Sequence, residues 1–182
     1  MSKLKTTACA IALSMISAYT FAGDSAVTQG TVTFNGKLIA ETCSIVSGDE
    51  EKQVTLPTLS VQSLVKAGDE AGTTRFSLTA EDCPATITQV AAHFEAINST
   101  GFDATTQNLT NSATTNAAKN VEVRLYDTDA STQLPLGTTG SFFPVDSTTQ
   151  KATMTYVGGY YATGATAAGD VTAQVQYTLA YK

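Results

Sequence analysis

Apolar and polar residues alternate one by one along several stretches of this chain, and the longest such stretch is at its C-terminal end. Between 171 and 181 every second residue is apolar or aromatic, and Thr or Gln occupies most of the positions between them. Shorter alternations occur at 76–80, 90–94 and 121–125. A period of two places successive side chains on opposite faces of a β-strand, so each stretch predicts a strand with one face against a core.

Turn-forming residues separate these strands, and no linker divides the chain. The turns are rich in Gly, Asp and Pro and lie at 47–51, 67–72, 127–129 and 134–137. The polar tract 105–120 predicts a long surface loop, and 60–68 predicts a brief helix. Many short strands at regular spacing predict a single β-sandwich of immunoglobulin-like size.

Composition and charge exclude several functional classes. The formal net charge is −6, which argues against a nucleic-acid-binding protein because such a protein needs a basic surface. The chain has one His and no C-x-x-C motif, so a zinc site lacks its ligands, and neither a metal nor a cofactor is expected. A hydrophobic content of 42% argues against intrinsic disorder.

The N-terminus has the pattern of a secretory signal peptide. Lys3 and Lys5 precede an apolar run at 8–18, and a small-x-small site ends at Ala22. The run is about half of the roughly 20 residues that a membrane-spanning helix needs, so cleavage after Ala22 is the preferred interpretation. The predicted signal peptide is therefore 1–22.

After removal of the predicted signal peptide, two cysteines remain in the chain, Cys43 and Cys83. An even number of cysteines in an exported protein predicts a disulfide. The alternative is a redox-active pair, but such pairs usually lie close together in sequence. A structural disulfide is therefore favoured.

The start of the predicted mature chain is also prone to form a strand. Thr28, Gly30, Val32 and Phe34 share one face of an alternating stretch that precedes the first strand of the sandwich. Taken alone, this stretch is either an ordinary first strand, a frayed terminal tail or a strand that pairs outside its own sandwich.

Four features, in this order along the chain, resemble a known family: the run 31–36, the cysteine pair, the run 160–164 and the penultimate Tyr181. They resemble the major pilin, the shaft subunit of type 1 and P-type fimbriae that the chaperone–usher route assembles. The resemblance covers the whole chain. It implies an all-β fold, an incomplete immunoglobulin-like β-sandwich that lacks its last strand. It also implies that 23–36 is an N-terminal donor-strand extension and that 37–182 is the pilin domain.

The resemblance further implies polymerisation by donor-strand exchange. A periplasmic chaperone first fills the groove beside the C-terminal strand, and the extension of the next subunit then replaces it. The implied donor positions are Thr28, Gly30, Val32 and Phe34, and Gly30 matches a glycine at a shallow pocket. The implied acceptor and chaperone-contact positions are Val175, Tyr177, Leu179 and Tyr181. Because Thr28 is small for a first docking residue, a register shifted by one step, with Val27 facing inward, stays open.

The expected function is that of a structural subunit of a surface fimbria, which contributes to cell adhesion after export through the periplasm. Expected partners are identical or related pilin subunits, a periplasmic chaperone and an outer-membrane usher, without nucleic acid. The alternatives are a minor or tip adhesin-type subunit and a secreted immunoglobulin-like binding module. No enzyme is expected, because the Ser63-x-x-Lys66 motif lacks its partner motifs and His93 lies on a predicted solvent face.

Overall fold

The computed structural model describes residues 30–39, 41–96, 99 and 101–182, and it separates the chain into two units. One unit ends at Leu38, and the other comprises Ile39–Lys182. The predicted signal peptide lies outside the described residues and stays a prediction. In the described part of the chain, no helix is long and apolar enough to cross a membrane.

The second unit contains two antiparallel β-sheets, as the alternating patterns predict. In chain order, the described strands are β1 (Ser44–Ile45), β2 (Glu70–Glu81), β3 (Gln89–Phe94), β4 (Leu109–Thr110), β5 (Lys119–Tyr126), β6 (Thr138–Thr139), β7 (Phe143–Pro144), β8 (Ala152–Ala167) and β9 (Tyr177–Tyr181). Sheet A has the spatial order β1-β2-β8-β5-β4. In sheet B, β3 is central, with β9 along one side and both β6 and β7 along the other. Strand β9 is therefore an edge strand of sheet B.

Side chains from both sheets meet in one core. Leu78 and Tyr156 of sheet A and Val90 and Phe94 of sheet B are all buried. The rings of Phe94 and Tyr156 meet edge to face with their centroids 5.2 Å apart, a favourable geometry for an aromatic pair. The predicted all-β, immunoglobulin-like sandwich is confirmed.

The predicted disulfide between Cys43 and Cys83 is also present. The two residues are 40 positions apart, and both side chains are buried. The bond joins the segment before β1 to the turn after β2, and thereby fixes one end of sheet A.

Two segments between strands differ from what their composition predicts. The brief helix expected at 60–68 is a single 3-10 turn, Val61–Ser63, which Ser60 caps by accepting a hydrogen bond from the Gln62 amide. The tract 105–120 is not wholly a surface loop, because it contains β4 and the buried Asn108. The Asn108 amide group donates a 2.9 Å hydrogen bond to the buried Glu122 carboxylate of β5, so each compensates the burial of the other.

Candidate functional site

A groove of about 1040 Å³ opens along one edge of the sandwich. Its walls are two segments that form no strand, residues 50–56 and residues 171–176 together with Tyr177 at the start of β9. We call 50–56 the first rim and 171–177 the second rim. An edge of this kind presents backbone groups without a strand partner, which a further strand can pair with.

The floor of the groove is apolar and belongs to the core. Its residues come from both sheets: Ile45, Phe76, Leu78, Phe94, Leu109, Val123, Leu125 and Tyr160. Phe76 and Val123 are only half-buried, although they pack against fully buried core residues. The core is therefore open at this edge over the width of one strand, which agrees with the predicted incomplete sandwich.

The second rim keeps the period-two pattern of the sequence without forming the whole predicted strand. The apolar residues Val171, Ala173 and Val175 are half-buried, whereas the intervening Thr and Gln residues are exposed. Strand pairing begins only at Tyr177, which lies opposite Phe94 at the end of β3. The predicted strand at 171–181 is thus confirmed for Tyr177–Tyr181 and wrong for 171–176, because β3 is too short to pair with those residues.

The predicted acceptor positions fall in two places. Val175 and Tyr177 line the groove. Leu179 and Tyr181 lie further along β9, where they pack against the core outside the groove. Sequence reasoning missed the first rim altogether, although the alternation of Val54, Thr55 and Leu56 was a signal that a strand edge could lie there.

The predicted donor positions lie in the N-terminal unit. Thr28 is outside the described residues. Gly30, Val32 and Phe34 are exposed and belong to no strand, with 76% of Val32 and 90% of Phe34 accessible to solvent. A Cβ atom added at Gly30 would meet nothing within 4 Å. The side chains of Val32 and Phe34 are thus largely exposed to solvent.

One end of the groove is polar. The Asp49 carboxylate, which is buried beside the first rim, accepts hydrogen bonds from the Thr79 amide at 2.7 Å and from Lys52 Nζ at 2.8 Å. Burial by itself raises the pKa of Asp49, but the hydrogen bonds from Lys52 and Thr79 outweigh it and hold this pKa below its usual value. Burial, with the nearby Asp49 and Glu50 charges, raises the pKa of Tyr177 to about 12. At neutral pH, Asp49 is therefore charged and Tyr177 is a neutral donor.

Within the described ranges, no group of three or more His, Cys, Asp or Glu residues could hold a metal ion. His93 is half-buried on β3, where its Nδ1 lies 2.8 Å from the hydroxyl oxygen of Thr139 and its Nε2 lies 3.8 Å from the carboxylate of Glu95. The apolar floor of the groove is suited to holding an extended apolar segment.

Comparisons with known proteins give the family. The family model described as fimbrial protein matches residues 29–182. The F17 fimbrial protein of Escherichia coli is 39% identical over 161 residues, which cover 85% of this chain and 88% of that protein. The major fimbrial subunit SMF-1 of Stenotrophomonas maltophilia is 37% identical over 175 residues, which cover 92% of this chain and 99% of that protein.

A solved structure agrees with the fold. The crystal structure of the P pilus rod subunit PapA superposes with a TM-score of 0.60 at 13% identity, over 77% of this chain and 99% of that one. The incomplete sandwich described above is thus the fold of a pilus subunit. Because a family model matches most of the chain and relatives above 30% identity cover nearly all of it, the chain belongs to the fimbrial protein family as a structural subunit of a surface fimbria.

Proposed function

We propose that the groove of one subunit binds the N-terminal extension of the next, so that donor-strand exchange links identical or related subunits into a fimbrial shaft that contributes to cell adhesion. Residues 23–36 are the donor extension and 37–182 the acceptor domain. One observation carries the proposal: an apolar groove lies between two chain segments, 50–56 and 171–176, that belong to no strand. A strand added there pairs with the rims through its backbone and with the floor through alternate side chains.

The exposed donor face supplies the apolar surface that such a groove requires. Val32 and Phe34 are largely exposed within their own chain, and full burial of either side chain is worth about 1.5–3 kcal/mol. Burying both in the groove of a neighbour would also cover Phe76 and Val123 of its floor. The exchange thus removes apolar surface from water on both partners.

The route of assembly follows from the same surfaces. An open apolar groove is prone to aggregate before the next subunit arrives, so it requires temporary cover. We propose that a periplasmic chaperone covers it after export, using contacts at Val175, Tyr177, Leu179 and Tyr181, and that an outer-membrane usher then directs the exchange. The role is structural and requires no catalysis, metal or cofactor.

The test places an arginine on each face of the extension. Gly30→Arg puts a charged side chain on the face that enters the apolar groove, which costs several kcal/mol of desolvation, and should block polymerisation. Thr31→Arg adds the same charge one residue later on the opposite face and is the matched control. Fibres sheared from expressing cells are compared on an SDS gel with and without boiling.

The expected result for the unchanged chain and for Thr31→Arg is a ladder that collapses to the monomer on boiling. Gly30→Arg should give only monomer. If both variants form ladders, the extension does not enter the groove and the proposal is wrong. If Thr31→Arg alone blocks assembly, donor-strand exchange holds in the register that places the opposite face inward.

A further inference from the structure

A hydrogen bond joins the second rim to the residue that precedes the first rim. The hydroxyl group of Tyr177, the last residue of the second rim, donates a 2.8 Å hydrogen bond to the carbonyl oxygen of Asp49. Asp49 immediately precedes the first rim. The phenol ring and the Asp49 backbone together therefore form a bar from one wall of the groove to the other.

Neighbouring contacts hold both partners of this bar in place. The Asp49 carboxylate is bound by Lys52 and by the Thr79 amide of β2, so the Asp49 backbone is attached to sheet A. On the other side, the Tyr177 ring packs against Phe94 with centroids 6.5 Å apart, and Tyr177 pairs with Phe94 in sheet B. The bar thus connects the two sheets and is not a contact between two loose chain ends.

Beyond the bar, the edge of the sandwich is occupied by the chain itself. Tyr181 follows Tyr177 by four residues on the same strand face, and its hydroxyl lies within hydrogen-bonding reach of Thr42 and the Cys43 backbone. Neither Leu179 nor Tyr181 lines the groove. The groove is therefore open only along the second rim, from Val171 to Tyr177.

The length of this opening matches the length of the donor face. Seven rim residues extend about 20 Å at roughly 3.3 Å per residue, and their inward positions are Val171, Ala173, Val175 and Tyr177. The donor stretch 28–34 also has seven residues and four positions on its apolar face. A strand of this length would extend along the whole second rim and would reach the bar at one of its ends.

We propose that Tyr177 and Asp49 form an end stop that determines how many residues of a donor strand the groove accepts. This inference rests on the proposed donor-strand function and assigns a length-determining role within it. Tyr177 acts by occupying the space into which a longer strand would continue, and Asp49 is a positioning residue that holds the phenol in that space.

The test measures how binding depends on the length of the donor. The exported, disulfide-intact chain carries Gly30→Arg so that its own extension does not compete. Synthetic peptides correspond to residues 30–34, 28–34, 26–34 and 28–36 of the natural sequence, and their dissociation constants are measured by fluorescence anisotropy. With Tyr177 unchanged, affinity should rise between 30–34 and 28–34 and then change by less than about threefold on extension at either end.

Removal of the bar should change this length dependence. In Tyr177→Ala, one of the two extended peptides should bind at least about tenfold more tightly than 28–34, the factor expected from the additional backbone hydrogen bonds that a longer strand makes. Tyr177→Phe keeps the ring that packs against Phe94 but loses the bond to Asp49, so it should fold and show a smaller gain at the same peptide end. Tyr161→Phe alters a half-buried tyrosine of β8 that does not line the groove, and it should keep the original dependence.

Two results would overturn the end stop alone. The first is an identical length dependence in the Tyr177 variants and the parent. The second is a gain on extension in the parent itself. If Tyr177→Ala does not fold, an unchanged length dependence of peptide binding in Tyr177→Phe would equally overturn the end stop. If no peptide of any length binds the parent, the donor-strand function itself is wrong, and the end stop falls with it.

Discussion

Removing the hydroxyl group of Tyr156 should destabilise the sandwich far more than removing that of Tyr126. Both side chains are almost completely buried, with 0% and 1% of their surfaces exposed. The Tyr156 hydroxyl accepts a 2.9 Å hydrogen bond from the Ala92 amide of β3 and donates a 3.1 Å bond to the Ser141 carbonyl. The Tyr126 hydroxyl makes no hydrogen bond of good geometry among the described residues, although burial raises its pKa and the Glu70 carboxylate is near enough to add to this rise. The two substitutions to Phe thus remove the same atom from opposite environments.

The expected magnitudes follow from what each substitution leaves behind. Tyr156→Phe leaves the amide of the fully buried Ala92 without a partner, which costs about 1–3 kcal/mol. The lost bond to the exposed Ser141 adds about 0.5–1.5 kcal/mol, because water can replace it there. The sum is about 1.5–4.5 kcal/mol. Tyr126→Phe removes a buried hydroxyl that nothing compensates, so its effect should be within about 0.5 kcal/mol of zero or stabilising.

Urea unfolding of the disulfide-intact subunit measures both effects. With a slope of about 2 kcal/mol per molar urea, Tyr156→Phe should lower the midpoint by about 1–2 M at an unchanged slope, and Tyr126→Phe should leave it within about 0.3 M. Equal midpoint shifts for the two variants would refute the assignment of the hydrogen bonds. A shift below about 0.3 M for Tyr156→Phe would show that its hydroxyl does not join the sheets.

Three further outcomes test other parts of the fold. Replacement of both Cys43 and Cys83 by Ser should lower the free energy of unfolding by about 4 kcal/mol in a urea titration, since the bond closes a loop of 40 residues. Gly140→Ala should lower the thermal midpoint, because a Cβ atom there would overlap the Tyr156 ring, whereas Gly158→Ala should not, since its nearest neighbour would be 3.9 Å away. The lowered pKa of Asp49 contributes stability above pH 3.8 that is lost as the pH falls through the folded-state pKa, so Asp49→Asn should weaken the acid dependence of unfolding.

The strands were predictable wherever one face of a segment is apolar and a partner strand lies beside it in the fold. At 90–94 and 121–125 the period-two pattern leads directly to β3 and β5. The tract 105–120 shows the limit of this reasoning. Its buried Asn108 is satisfied by Glu122, 14 residues away, and polar composition alone cannot indicate that such a partner exists.

The second rim shows that an alternating pattern alone does not ensure a strand, and this failure bears on function. Residues 171–176 have the alternation of a strand but belong to none, because β3 ends at Phe94. In a complete sandwich, an apolar alternating edge with a groove beneath it would be covered by the next strand of the same chain. In the other unit, Val32 and Phe34 likewise belong to no strand, and their apolar side chains are exposed. The proposed exchange between successive subunits would place the apolar face of one segment against that of the other in every copy.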